Sequence, residues 1–317
     1  MDEQLQRAIE KEVECASIKE LSLARERLTE SYREKRGESS SHMSRSADHL
    51  SYLATRMPAT YAVLEWIFRL ELSDVRSLLD MGAGPGTAMW AAAPHLPLLE
   101  QITLFERDGE LAKLGWRLAA WSECKAIREA NWVVTDITES QEIPTHDLIL
   151  FSYSAGELTP SSLAPLVKCC WSAAKRYLLL VEPGTPSGFA LIREVRRQLI
   201  ELGAHMVAPC PHTDSCPMQQ GNWCHFARRV ERSALHRRVK GVSLGYEDEK
   251  FSYVLFAKEA LQLPYGRVLR HPIKRPGHLH LELCTREGLE QQTVSRRSGE
   301  RYKVCKKLEW GDPLQSQ

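Results

Sequence analysis

The run Asp80-Met81-Gly82-Ala83-Gly84-Pro85-Gly86, entered from the strand-like stretch 75–80, narrows the fold of this chain more than any other feature. A strand-like stretch ends on an acid and passes into a turn with glycine at every second position. The backbone there can approach a ligand that a side chain would push away. In a parallel sheet the first such turn faces the crevice beyond the carboxyl ends of the strands. Dinucleotide-binding sheets use a related turn, but their G-x-G-x-x-G spacing needs a glycine where this chain has Thr87. A carboxylate before the turn would repel a pyrophosphate, whereas it suits the sulfonium and amino group of S-adenosylmethionine. Asp80, Gly82, Gly84 and Gly86 are therefore expected to bind that cofactor, with Asp80 acting on its methionine part directly or by holding the turn.

Short apolar runs then alternate with helical spacing. Strands are expected at 102–106, 132–136, 147–152 and 177–182, and helices from 87, over 110–121, 161–175 and 191–202. The run 147–152 is nearly all apolar, as a strand buried on both faces should be. This alternation predicts an α/β chain: a doubly wound, Rossmann-like fold of the S-adenosylmethionine-dependent methyltransferase type. Two more acids fall at strand ends. Glu106 is placed to hydrogen-bond ribose hydroxyls, and Asp136 to accept from the adenine amino group. At the end of the fourth strand Tyr153 and Glu157 are the catalytic candidates, Tyr153 to stack a base and Glu157 to orient or deprotonate an acceptor. Methyl transfer depends chiefly on alignment of acceptor, methyl and sulfur, so a dedicated base is not obligatory.

Residues 1–70 read as an N-terminal helical region, with a polar break at 35–42 and Pro58 at a helix start. Residues 71–260 carry the sheet domain, with a cysteine-rich insertion at 209–225 and a late antiparallel strand at 251–257. Residues 261–317 read as a small basic β appendage. With 43% hydrophobic and 26% charged residues the composition is that of a globular protein, and no run of about 18 apolar residues suggests a membrane span. The start, Met1-Asp2-Glu3-Gln4-Leu5, has neither the basic and apolar regions of a secretory signal nor the character of a transit peptide. A cytoplasmic, monomeric protein without membrane contact is expected.

The formal net charge of +1 conceals segregation, acidic around 100–110 and basic over 267–307. Arg267, Arg270, Lys274, Arg275, Arg296, Arg297, Arg301, Lys303, Lys306 and Lys307 are interspersed with Tyr265, His271, His278 and Tyr302. Such a surface can neutralise phosphates and stack on unpaired bases, which predicts RNA binding. Of nine cysteines, Cys15, Cys124, Cys169, Cys170 and Cys305 sit among helical or apolar residues and read as packing. Cys210, Cys216 and Cys224 share one proline- and glycine-rich segment, and Cys284 is the best fourth ligand. Four thiolates suit an iron–sulfur cluster or structural zinc. The absence of a tight C-x2-C favours iron–sulfur, while His212 and His225 leave a mixed zinc site open.

The chain resembles the methyltransferase-like proteins of bacteria and mitochondria that are associated with the small ribosomal subunit and its assembly. The resemblance runs through Tyr52-Leu53-Ala54-Thr55-Arg56-Met57-Pro58-Ala59-Thr60-Tyr61, the turn at 80–86, and Val181-Glu182-Pro183-Gly184-Thr185-Pro186. It continues over 210–232, Lys250-Phe251-Ser252-Tyr253 and 267–312. It implies a 4Fe–4S cluster on Cys210, Cys216, Cys224 and Cys284, and contact with the small ribosomal subunit and its RNA. The functional expectations are a methyltransferase acting on that RNA, or an assembly factor that keeps the fold as an RNA-docking platform. A labile cluster would add a redox- or iron-sensing role.

Overall fold

The computed structural model describes residues 1–34, 43, 45–70, 72, 74–139, 142–219 and 221–315, with the backbone alone over 31–34. The polar break expected at 35–42 lies outside the described residues. In chain order the elements are α1 Glu3–Val13, α2 Ile18–Glu34, α3 Ser46–Thr55, α4 Met57–Phe68, β1 Ser77–Met81, α5 Thr87–Ala92, β2 Gln101–Glu106, α6 Gly109–Ala119, α7 Lys125–Arg128, β3 Asn131–Val134, β4 His146–Ser152 and α8 Pro160–Ala173. There follow β5 Ala174–Pro183, α9 Pro186–Glu201, β6 His205–Ala208, β7 Phe226–Glu231, α10 Ala234–Lys240 and β8 Tyr246–Ala257. The C-terminal stretch forms β9 Gly266–Val268, β10 Ile273–Arg275, β11 His278–Thr285, β12 Gly288–Ser295, α11 Glu300–Cys305 and β13 Pro313–Leu314. Among the described residues no helix is long and apolar enough to cross a membrane.

Contacts group the chain into two units. The first comprises Met1–Lys175 and Arg228–Glu249. Four of its strands run in the order β3-β2-β1-β4, all parallel. Chain order reverses beside β1, which is the switch point at which an open α/β sheet takes its ligand. The register sets Asp80 against Leu104 on one side and Leu150 on the other. Leu148, Ile149, Leu150 and Phe151 of β4 are wholly buried, each aliphatic side chain contributing roughly 1.5–3 kcal/mol by leaving water. The N-terminal helices belong to this unit. α1 buries Leu5, Ala8, Ile9 and Val13 at helical spacing, and Asp2 caps it by accepting from the amides of Gln4 and Leu5 at 2.9 and 3.0 Å. Val13, Leu21, Ala54 and Val239 pack together, joining α1–α3 to α10.

The second unit comprises Arg176–Ala227 and Lys250–Gln317. Here β8 lies antiparallel between β5 and β6. A separate antiparallel sheet has the order β10-β11-β9-β13, with β12 also on β11. In β11 the side chains alternate, Leu279, Leu281 and Leu283 inward and His280 and Glu282 outward, as the period of a half-buried strand requires. The inward set packs on Val268, Val294, Cys305, Leu308 and Leu314. The doubly wound α/β fold and the C-terminal β appendage are thus both present.

Candidate functional site

In the first unit β1 carries Asp80 to the turn and buries it to 1% exposure. Gly82, Gly84 and Gly86 have φ values of 82, 57 and 78°, the left-handed region that glycine alone enters freely. A Cβ on Gly82 would lie 2.6 Å from the Cβ of Ser154, and one on Gly86 2.8 Å from Met89 Cε. The Phe105 carbonyl accepts from the amides of Gly82 and Ala83, both at 2.9 Å. Glu106 clamps the same turn, its Oε2 accepting from the Gly84 amide at 2.7 Å and its Oε1 from the Asp108 amide at 2.8 Å. Asp80 Oδ1 has no hydrogen-bond partner among the described residues.

Three acids make this site electrostatically unusual. Burial, and then the charge of Glu106, push Asp80 up to about 8. Burial raises Glu106 against the downward pull of its two amide donors. Glu157 is pushed up to about 7, again by burial, against the pull of Arg107 2.9 Å away. Each would ionise more readily beside a cation. Asp136 stands apart, since its Oδ1 accepts from the Thr138 amide and hydroxyl at 2.9 and 2.7 Å and caps its own turn. Tyr153 takes a φ of 61°, a strained conformation for a non-glycine residue, in the loop that Ser154 ties to β1 by donating to the Met81 carbonyl. Two residues of α3 join the site without a sequence signal of their own beyond helical spacing. The Tyr52 hydroxyl would be 3.8 Å from a Cβ on Gly84, and His49 Nε2 lies 2.8 Å from Asp108 Oδ2. Tyr52 does, however, open the first run on which the resemblance rests.

In the second unit the four cysteines line one cavity. α9 presents Phe189, Ile192 and Arg196, the segment after β6 adds Cys210, His212, Cys216, Met218 and Cys224, and Tyr253 and Cys284 close it. None is in a disulfide. Ser252 Oγ donates to the Cys224 carbonyl at 2.8 Å and Trp223 Nε1 to the Gly184 carbonyl at 2.9 Å, so the loop is anchored on both sides of Cys224. Cys284 faces Arg267 directly across the β11–β9 pair. Burial pushes the Cys284 thiol up to about 12, Cys224 well up, and Cys210 up against the pull of Arg196. His212 Nε2 lies 3.6 Å from Cys284 Sγ. His225 belongs instead to a ring array, with centroids 5.3 Å from Trp223 and 5.1 Å from Trp310. Among the described residues no three His, Cys, Asp or Glu side chains are grouped closely enough to hold a single metal ion. Tetrahedral zinc, with Zn–S near 2.3 Å, draws four sulfurs to about 3.8 Å from one another. The cysteines surround the cavity without that convergence, so among the described residues neither a zinc nor an iron–sulfur site is evident as a compact ligand group.

The basic residues separate into three kinds. Lys274, Arg275, Arg296 and Arg297 are exposed and meet at one end of the C-terminal sheet, where Arg275 pairs with His278, His278 with Ser295, and the Arg296 amide donates to the Gly277 carbonyl at 2.9 Å. Lys303, Lys306 and Lys307 are exposed on and just beyond α11, with Lys303 paired to Glu300 at 2.6 Å. Arg301 and Arg270 are half-buried; Arg301 donates to Gln292 at 2.6 Å, and Arg270 lies 5.7 Å from the centre of the Trp310 ring. Arg267 is not on this surface. It is 4% exposed, and its guanidinium donates to the carbonyls of Pro209 and Gly311 at 2.7 and 2.9 Å, because β9 is an interior strand.

Comparison with known proteins adds kinship to this geometry. A human protein, ribosome assembly protein METTL17, mitochondrial, is 26% identical over 293 residues, 84% of this chain and 62% of its own length. The Rsm22-cox11 tandem protein 2, mitochondrial, of Schizosaccharomyces pombe is 24% identical, covering 83% of this chain and 42% of that protein. The chain therefore spans less than two thirds of these relatives. Among solved structures, a precorrin-6y C5,15-methyltransferase from Geobacter metallireducens is 15% identical over 63% of this chain and 87% of its own, with a TM-score of 0.40. The N-methyltransferase NodS from Bradyrhizobium japonicum is 17% identical over 63% and 96%, with a TM-score of 0.39. The relatives correct one expectation: both are named as mitochondrial, as is the ribosome assembly protein RSM22 of Saccharomyces cerevisiae, so the cytoplasmic assignment does not stand. Residues 46–315 match the family profile described as mitochondrial small ribosomal subunit Rsm22, and the chain belongs to that family.

Proposed function

We propose that this chain is an assembly factor of the small ribosomal subunit that binds S-adenosylmethionine in its first unit, and a 4Fe–4S cluster and ribosomal RNA in its second. The observation that carries the reading is the gathering of Cys210, Cys216, Cys224 and Cys284 around one cavity from a loop and a distant strand. A four-iron cluster takes one thiolate at each corner, so it suits sulfurs spread around a space. Such a cluster supplies electron storage and a cross-link, here between the loop after β6 and β11. For the donor, Asp80 offers an unpartnered carboxylate oxygen and Glu106 holds the glycine turn open. The exposed lysines and arginines of the C-terminal sheet supply contacts to RNA phosphates. The named role of the relatives in ribosome assembly supports the choice of RNA. Cys210→Ser and Cys284→Ser should each abolish association with small-subunit particles while leaving S-adenosylmethionine binding intact. Variants that bind the particles like the parent would refute the reading.

Methylation of that RNA is the second reading, favoured by the strained Tyr153 and by Glu157, whose ordinary acidity is shifted to about 7, near the working range of a general base. With a radiolabelled donor, this reading predicts label on small-subunit RNA and at least a ten-fold loss for Glu157→Gln. The assembly reading predicts donor binding without transfer.

A further inference from the structure

We infer that Arg196 and Arg267 are the built-in counter-ions of the cysteine cavity, two buried cations that offset the two negative charges of a metal-bound four-thiolate centre. The inference rests on the reading of the four cysteines as cluster ligands. Both arginines are buried, at 5% and 4% exposure. A guanidinium cannot shed its proton inside a protein, and a buried charge left alone is costly. The usual answer is a carboxylate, but among the described residues none lies within 4.0 Å of either side chain. Their partners are backbone carbonyls: Arg196 donates to those of His212 and Asp214 at 2.9 and 2.8 Å, Arg267 to those of Pro209 and Gly311. Carbonyls satisfy the hydrogen bonds and leave the net charge unanswered. The Nε of Arg196 has no partner at all among the described residues.

Both cations lie near enough to the cysteines for their charge to act on Cys210 and Cys284. Arg196 lines the cavity with the four cysteines, and Arg267 is the cross-strand neighbour of Cys284. Directly opposed residues in an antiparallel pair hold their Cβ atoms about 4.5–5.5 Å apart on the same face. The same two side chains also brace the ligand loop, since the carbonyls they hold belong to Pro209, His212 and Asp214, which flank and separate Cys210 and Cys216. Four thiolates around an oxidised four-iron core leave a dianion, and two guanidiniums neutralise it. One-electron reduction adds a third negative charge, which the arginines also attract, so they hold the reduced form within reach and retain the metal.

The test compares anaerobically purified parent with Arg196→Gln, Arg267→Gln, Arg196→Lys and Arg267→Lys. Iron and sulfide are measured per chain, and the couple is titrated with dithionite under electron paramagnetic resonance. Glutamine removes the charge and keeps a donor for the carbonyls; lysine keeps the charge. Each Gln variant should disfavour reduction at least ten-fold, a shift of about 59 mV to more negative potential for one electron, while each Lys variant stays within about three-fold of the parent. Iron-loaded Gln variants with the parent's potential would overturn the inference, as would Lys variants shifted as far as the Gln ones. If the Gln variants do not fold, the Lys variants decide by the same criterion. A parent chain holding zinc instead would defeat the cluster reading alone, because zinc with four thiolates is also a dianion. The Gln variants should then lose zinc to a chelator at least ten-fold more readily, and equal retention would overturn the counter-ion role. A parent with neither metal would overturn both.

Discussion

Asp80 is the residue on which the proposed donor site turns, and its environment makes a signed prediction. The folded chain holds its proton up to about pH 8 through burial and the nearby Glu106, whereas an aspartate in the unfolded chain ionises near pH 4. Between these values the folded state binds the extra proton. Its contribution is therefore intact on the acid side and lost as pH rises through the folded value. Urea midpoints of the ligand-free protein should fall between about pH 4 and about pH 8 and level off above it, and Asp80→Asn should flatten that fall and stabilise at the alkaline end by on the order of 2 kcal/mol. The same variant should weaken S-adenosylmethionine binding at least ten-fold, so stability and affinity move in opposite directions. An unchanged affinity would remove Asp80 from the donor site. The glycines and Asp80 are legible in sequence because a left-handed turn after a strand leaves few residue types available. Arg196 and Arg267 are not, because an arginine in a charged helix or a basic tail reads as surface, and only strand order and cavity lining show that it is inside.

At the scale of elements, legibility follows how much of a strand or helix answers to its own sequence. The uninterrupted apolar run of β4 and the alternation of β11 are decided locally, and both are strands. The segment β7–α10 and the first residues of β8 are polar and short, with no readable period, and tertiary ion pairs hold them. Glu247 is the centre of that group, accepting from Arg232 at 2.7 Å and from Lys240, with His236 Nε2 3.3 Å away. Burial alone would raise its carboxyl, but the bonds from His236, Lys240 and Arg232 hold it far below the usual range. A depressed carboxyl stabilises the fold above its unfolded value and loses that effect as pH falls through the folded one. Glu247→Gln should destabilise the first unit by roughly 3 kcal/mol at neutral pH, because it strands buried cations. The difference from the parent should shrink below about pH 4, where the unfolded-state carboxyl is protonated. A deficit independent of pH would mean that the carboxylate is not what holds α10.

For the whole molecule, the second unit is the proposed metal-organised RNA-binding module and the first the proposed donor-binding one. RNA affinity should fall steeply with salt, and replacing Arg296 and Arg297 by glutamine should reduce the salt slope by about 0.7 for each phosphate of single-stranded RNA no longer neutralised. Replacement of the buried Arg267 should leave that slope alone in metal-loaded protein. A slope insensitive to Arg296 and Arg297 would move the interface elsewhere. The central claim, that Cys210, Cys216, Cys224 and Cys284 hold one cluster, is tested most directly by quantifying iron, acid-labile sulfide and zinc in protein purified without oxygen. About four irons and four sulfides per chain, lost together in Cys210→Ser or Cys284→Ser, are predicted. Stoichiometric zinc without iron, or a chain free of metal, would contradict it.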